Sequence, residues 1–74
     1  MKYIYYKKEL NNKPVQLAIF LKTPQEFSFY QGVSDIEEGF NIGDMIEITI
    51  DEYKNLMPLF NLGRRWESIE PIER

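Results

Sequence analysis

The first half of the chain consists of apolar, strand-forming runs separated by polar turn residues, a pattern that predicts three strands. Residues Lys2–Leu10 and 15–22 are rich in tyrosine, isoleucine, valine and leucine, which favour strands. Between them, residues 11–14 read Asn-Asn-Lys-Pro, which is turn chemistry: asparagine tolerates a left-handed backbone, and proline cannot continue a ladder. A second turn at residues 23–25 leads to a third strand over residues 26–31. The pattern therefore predicts an antiparallel meander.

The strand register is taken from the apolar residues, because a slip of one residue moves every side chain to the other face. Pairing Leu10 with Val15 across a four-residue loop places Tyr6 opposite Ile19. Pairing Leu21 with Phe27 continues the same face into the third strand. The predicted core face then has Lys8 as its only charged residue, and its apolar members are Ile4, Tyr6, Leu10, Val15, Leu17, Ile19, Leu21, Phe27 and Phe29.

The second half of the chain predicts a short turn of helix and then a strand. Ser34 and Glu37 have the spacing of a capping box, and Gly39 follows them, so a single helical turn is expected. Over residues 45–50, isoleucines alternate with Glu47 and Thr49, which is the pattern of a half-buried strand.

A second capping box, from Thr49 to Glu52, predicts the start of a longer helix. Pro58 should end or kink this helix, and Gly63 marks its exit. Residues 65–70 are expected to form an edge strand, and residues 70–74 to fray. The predicted buried face of the helix has members at helical spacing, namely Tyr53, Leu56, Met57 and Phe60.

These elements predict one α+β domain over residues 1–74. The expected architecture is a small antiparallel sheet of four or five strands, a three-strand meander followed by a fourth strand, with one helix in the C-terminal half. A small barrel of the OB or SH3 type is the alternative.

Composition and charge limit the class of protein and the cellular compartment to be expected. The chain has 74 residues, no cysteine and no histidine, and its net charge is −3. Its start does not resemble a signal peptide, and no run approaches the length of a membrane span, so a soluble, cytoplasmic protein is expected. Residues 1–22 carry five lysines against Glu9, a net of +4, whereas residues 23–54 carry eight acids against Lys54, a net of −7.

The sequence lacks the residues that most enzymes use. Without histidine or cysteine, the commonest general base, metal ligand and thiol nucleophile are missing. The acidic group at 35–44 lacks the spacing of a calcium-binding EF-hand loop. We expect no catalytic residue, no cofactor and no metal site. Each hydroxyl that could serve as a nucleophile has a structural explanation in a strand face, a cap or a turn: Thr23, Ser28, Ser34, Thr49 and Ser68.

The side of the sheet that the core does not use carries an excess of aromatic residues. In the register above, Tyr5 lies opposite Phe20, whereas a solvated sheet face normally carries polar residues. Exposed aromatic patches rimmed by charge tend to mark interaction sites. The alternative is that a barrel, or a tail carrying Trp66, covers this face and makes it a second small core. The predicted partner-binding residues are Tyr3, Tyr5, Phe20, Tyr30, Lys7 and Lys22.

Two kinds of partner suit such a face. One is a protein, either another chain or a second copy that forms a homo-oligomer, with the tyrosines as anchors. The other is single-stranded nucleic acid, with the rings stacking on bases and Lys7 and Lys22 contacting phosphates. The protein partner is preferred, because the −7 segment opposes phosphate binding. Enrichment in lysine, isoleucine, asparagine, glutamate and tyrosine indicates an AT-rich gene, which suits a small accessory or inhibitory factor of a bacterium, bacteriophage or mobile element.

Overall fold

The computed structural model of the protein describes residues 2–60 and 63–67. Five strands, β1 (Lys2–Leu10), β2 (Lys13–Lys22), β3 (Phe27–Ser34), β4 (Ile46–Ile48) and β5 (Arg64–Glu67), form one sheet. Their order is β4-β1-β2-β3-β5, all neighbours are antiparallel, and the sheet is not closed. The predicted α+β architecture is confirmed, and the barrel alternative is wrong.

The described residues contain one α-helix, α1 (Ile50–Leu56), which begins where the sequence places it. The Thr49 hydroxyl accepts a hydrogen bond from the Glu52 backbone N–H at 3.1 Å, which caps the helix. Asp51 and Glu52 lie in its first turn, where acids suit the helix dipole. The helix tightens into a 3₁₀ turn over Met57–Phe60, because Pro58 cannot donate the next helical hydrogen bond.

The main core lies between the sheet and this helix. Leu17, Ile19 and Val33 of the sheet form a buried cluster with Tyr53 and Phe60. Ile48, Leu56 and Met57 pack at its margin, so the predicted buried face of the helix is confirmed. We call this side of the sheet the helix face and the opposite side the open face.

The first hairpin turns in two residues rather than four. Leu10 pairs with Lys13, and both Asn11 and Asn12 have positive φ, 56° and 65°. This is the backbone that a type I′ turn requires, and asparagine tolerates it better than other residues with a side chain.

A bulge then shifts the register of β1 against β2. Glu9 pairs with Pro14, but Lys8 pairs with Gln16, so Val15 is an extra residue on β2. Proline has no N–H for the ladder, and bulges are among the few places where a sheet accepts it. Beyond the bulge, Tyr5 lies opposite Ile19. The predicted pairing of Tyr6 with Ile19 is therefore wrong by one residue, and the odd-numbered residues of β1, not Ile4 and Tyr6, share the helix face.

The pairing of β2 with β3 is also shifted by one residue. Thr23 closes the turn by accepting hydrogen bonds from the N–H groups of Gln25 and Glu26, and Leu21 pairs with Ser28 rather than Phe27. Phe27 therefore lies opposite Lys22, on the open face. A second bulge, with Tyr30 as the extra residue, restores Val33 to the helix face.

The segment after β3 is not the predicted helical turn. The Ser34 hydroxyl accepts from the Ile36 N–H at 3.1 Å and donates to the Ile36 carbonyl at 2.8 Å, which makes a tight bend instead of a helix cap. The chain then passes through a 3₁₀ turn at Ile42–Asp44 into β4. The last strand begins one residue earlier than predicted, and the expected fraying of residues 70–74 lies outside the described residues. None of the helices in the described part has the length and apolar character needed to cross a membrane.

Candidate functional site

The six residues predicted to bind a partner do not share one face. Phe20 and Lys22 lie on the open face, since they alternate with Ile19 and Leu21 along β2. Tyr5 and Lys7 lie on the helix face, opposite Ile19 and Leu17. The predicted pairing of Tyr5 with Phe20 is therefore wrong.

Tyr5 and Lys7 both have structural partners. The Tyr5 ring meets the Tyr53 ring edge-on, with centroids 5.2 Å apart, at the margin of the main core. The Lys7 Nζ lies 2.8 Å from a Glu52 carboxylate oxygen and 3.0 Å from one of Glu9. Hydrogen bonds to Glu52 and then Glu9 raise the pKa of Lys7. Lys7 thus joins β1 to the start of α1.

Tyr3 and Tyr30 form a separate pair. Their ring centroids are 5.3 Å apart, and both side chains remain exposed, at 43% and 38%. Tyr3 is opposite Leu21, so the pair lies on the helix-face side. Because the sheet separates it from Phe20, it cannot form one continuous patch with the open face.

The open face carries its own aromatic cluster. The Phe20 ring is stacked on the Phe27 ring, with centroids 5.1 Å apart and planes 5° from parallel. Tyr6 and Phe29 meet Phe20 edge-on at 5.6 Å and 5.7 Å, and Phe40 stacks on Phe29 at 5.1 Å. Offset stacking and edge-to-face contacts are the preferred geometries of aromatic rings.

A loop covers one half of this face. Residues 35–40 fold back over the sheet, and the Phe40 ring lies against Gly32, where a side chain on residue 32 would collide with it. The Gln16 side chain is fully buried, and its Nε2 donates to the Ser34 hydroxyl at 3.1 Å and to the Glu38 carbonyl at 2.9 Å. We call this the covered half.

The other half of the open face has no such cover among the described residues. We call it the bare half and define it by Lys2, Ile4, Phe20, Lys22 and Phe27. Phe20, at 9% exposure, is sealed by its neighbours, but Phe27 keeps 42% of its surface exposed. The open face is thus a small second core whose outer edge is left uncovered.

The two halves differ in charge. In the bare half, Lys2 and Lys22 lie directly opposite each other, and Lys22 is also opposite Phe27. Like charges at opposed positions destabilise a sheet. None of the ion pairs among the side chains of residues 2–60 and 63–65 involves either lysine.

Acids surround the covered half. Lys8 lies at that end, with its Nζ 2.8 Å from a Glu38 carboxylate oxygen, and Asp44 lies near enough to add to the rise in the pKa of Lys8 that the Glu38 hydrogen bond produces. Glu47 is opposite Tyr6; burial, and then Glu47, raise the pKa of the Tyr6 phenol. The acidic rim of the face consists of Glu38, Asp44 and Glu47.

The sequence interpretation missed Tyr6, Phe27, Phe29 and Phe40 as members of this surface. Pro14 was the available signal for the bulge that brings Tyr6 here. No comparable signal places Phe40, because its position depends on a loop that folds back onto Gly32. The described residues contain no group of three acidic side chains placed to hold a metal ion.

Comparison with protein-family models, with curated proteins and with solved structures found no match to this chain.

Proposed function

We propose that the protein is a non-enzymatic interaction module that binds a protein partner through the bare half of its open face. The observation that carries this proposal is the Phe27 ring, exposed over 42% of its surface and set beside two lysines that face each other. The partner surface that fits is apolar with an acidic rim. Such a partner would cover the ring and neutralise the charge repulsion.

Rigidity supports this function. Phe27 lies flat on Phe20, which is itself buried between Tyr6 and Phe29, so little side-chain freedom remains to be lost on binding. Preorganised aromatic residues are the usual anchors of protein interfaces. With charged residues at its edge, the patch has the apolar centre and polar rim of an interface.

The setting we propose is the cytoplasm of a bacterium, with the gene carried by the bacterium, a bacteriophage or a mobile element, and the protein acting as an accessory or inhibitory factor. Support for this setting comes from composition alone: no cysteine, and enrichment in the residues of AT-rich codons.

A capture experiment with two matched variants tests the proposal. Phe27→Ser removes the exposed ring of the bare half, and Leu59→Ser removes a side chain that is 64% exposed on the 3₁₀ turn, away from the open face. Immobilised protein should retain the same partner from a cell extract with wild type and Leu59→Ser, and lose it with Phe27→Ser. Equal capture by all three proteins would contradict the proposal.

Single-stranded nucleic acid is the second candidate, and the geometry weakens it. Phe27 between Lys2 and Lys22 could stack on a base near phosphates. Lys7, however, is held by two carboxylates on the other face, and Glu38 and Glu47 border the same surface. We expect no binding of a fluorescent oligonucleotide at low salt. Binding that weakens steeply with salt and is lost in Lys22→Glu would replace the protein partner with a nucleic acid.

A further inference from the structure

The open face is divided into complementary halves in both shape and charge. The covered half is raised by the 35–40 loop and bears Glu38, Asp44 and Glu47 at its rim. The bare half has no such cover among the described residues and bears Lys2 and Lys22. The halves lie at opposite ends of the strands, since Lys8 and Gln16 mark one end of the β1–β2 ladder and Lys2 and Lys22 the other.

From this division we propose that the occupant of the bare half is a second copy of this chain, related by a two-fold axis that runs parallel to the sheet and perpendicular to its strands, between the two facing copies. The inference rests on the proposed function. In such a pair, the loop of each copy lies on the bare half of the other. Each Lys2 and Lys22 then faces the acidic rim of the partner.

Symmetry makes this arrangement self-consistent. A two-fold interface uses the same patch on both chains, so the patch must complement itself. A uniformly basic face would not complement itself, because each positive charge would meet another, and a uniformly flat face would give the two copies no matching shape. Here a rotation of 180° places the raised acidic half of each copy on the uncovered basic half of the other, so this contact forms twice. Two sheets packed face to face in this way form an ordinary aligned sandwich.

The area of the open face determines how tightly two copies are expected to associate. Seven residue pairs along the strands span about 20 Å, and three strands at about 4.8 Å spacing give a patch of roughly 300 Å². Stable interfaces bury about 800 Å² on each partner, so the sheet alone is too small and the loop must contribute. We therefore expect a concentration-dependent monomer–dimer equilibrium rather than a permanent dimer.

Charge exchange between the halves tests the arrangement by analytical ultracentrifugation. The basic-end variant is K2E/K22E, and the acidic-end variant is D44K/E47K, which leaves the Lys8–Glu38 ion pair in place. Each variant alone should associate at least about tenfold more weakly than wild type, because like charges meet across the interface. An equimolar mixture should restore the dimer, since both of its contacts are attractive again.

A charge-matched variant away from the open face serves as the control. K54E/R65E changes the net charge as much as K2E/K22E, at two exposed residues on α1 and β5, and should associate like wild type. Circular dichroism establishes that each variant is folded, and recovery in the mixture shows that both remain competent. A mixture that stays monomeric, or wild-type protein that stays monomeric at all concentrations, overturns the two-fold arrangement. Loss of a captured partner in Phe27→Ser would then still support binding to a different protein, so the two proposals fail separately.

Discussion

Gly32 allows the covered half of the open face to close. A Cβ at this position would lie 2.8 Å from the Leu17 carbonyl oxygen and 2.9 Å from the Phe40 ring. One of these neighbours is backbone and cannot easily move. The absence of a side chain at residue 32 is therefore what lets Phe40 lie on the sheet and stack on Phe29.

Gly32→Ala should lower the free energy of unfolding by about 1–3 kcal/mol, the usual cost of overpacking. Gly39→Ala is the matched control, because nothing lies within 4 Å of a Cβ there and its φ is not positive. It should be neutral or stabilise by up to about 1 kcal/mol. Urea unfolding of the two variants measures the difference. Equal effects would mean that Phe40 does not lie on Gly32.

The buried phenol of Tyr53 makes the stability of the folded state depend on pH. Burial raises the pKa of its phenol above the ordinary 10.0; Gln31 and Arg65 lie near the hydroxyl and oppose the rise, but no described residue meets it with hydrogen-bond geometry. The folded state therefore binds this proton more tightly than the unfolded state. Its contribution to stability is present in full below pH 10 and is lost as the pH rises through the folded pKa. The raised pKa of Lys7 acts in the same direction, above 10.5.

Stability should therefore be level from neutral pH to about pH 10 and fall above it. Tyr53→Phe should reduce the alkaline fall without loss of stability at pH 7, because it removes a buried hydroxyl that has no partner among the described residues. Tyr3→Phe, at an exposed tyrosine, should follow wild type. Unfolding curves between pH 7 and 11.5 provide the comparison. A large loss at pH 7 in Tyr53→Phe would show that the hydroxyl is hydrogen-bonded.

At the scale of elements, the Asn11-Asn12 turn fixes how the first hairpin begins. Both residues adopt the left-handed backbone, which costs a residue with a Cβ about 1–2 kcal/mol unless its side chain can compensate. Asn12→Ala should therefore destabilise by about that amount, and Asn12→Gly should be neutral or stabilising. Asn55→Ala, the same change inside α1, should not destabilise. If Asn12→Ala is as harmless as Asn55→Ala, residue 12 is not left-handed.

The sequence predicted which segments form strands and helix better than it predicted which faces they share. The strand β2 and the Thr49 cap before α1 depend on residues close together in the chain, and both expectations are confirmed. The faces of β1 and β3 depend on single extra residues, Val15 and Tyr30, in two bulges. Because both faces are aromatic, the apolar pattern is nearly as well satisfied by either register. The sequence alone could not choose between them.

Because the apolar pattern fits either register, the predicted site contains some residues of the observed patch and misplaces others. An aromatic patch beside lysines does exist on the face away from the helix, as expected, but with Phe27 at its edge instead of Tyr5. Phe20 and Lys22 belong to both the predicted and the observed patch, since they lie on β2, whose two faces the sequence predicts correctly. Errors of register at a bulge exchange neighbours between faces and leave the central strand unchanged.

At the scale of the whole molecule, the open face combines a sealed centre with an uncovered edge. Phe27→Ser should therefore lower the free energy of unfolding by no more than about 1 kcal/mol, since much of its ring is already exposed. Phe60→Ser, which removes a ring buried to 98% between sheet and helix, should cost about 3–5 kcal/mol or prevent folding. Thermal or urea unfolding distinguishes the two. Comparable losses would make Phe27 a core residue and the open face a closed one.

The central claim is that the bare half of the open face is where another protein binds. A photoreactive benzoylphenylalanine in place of Phe27 tests it most directly, with the same residue in place of Leu59 as the control. On irradiation, alone and in cell extract, position 27 should form a cross-linked protein product and position 59 should not. No product at position 27, or equal yields at both positions, would contradict the claim.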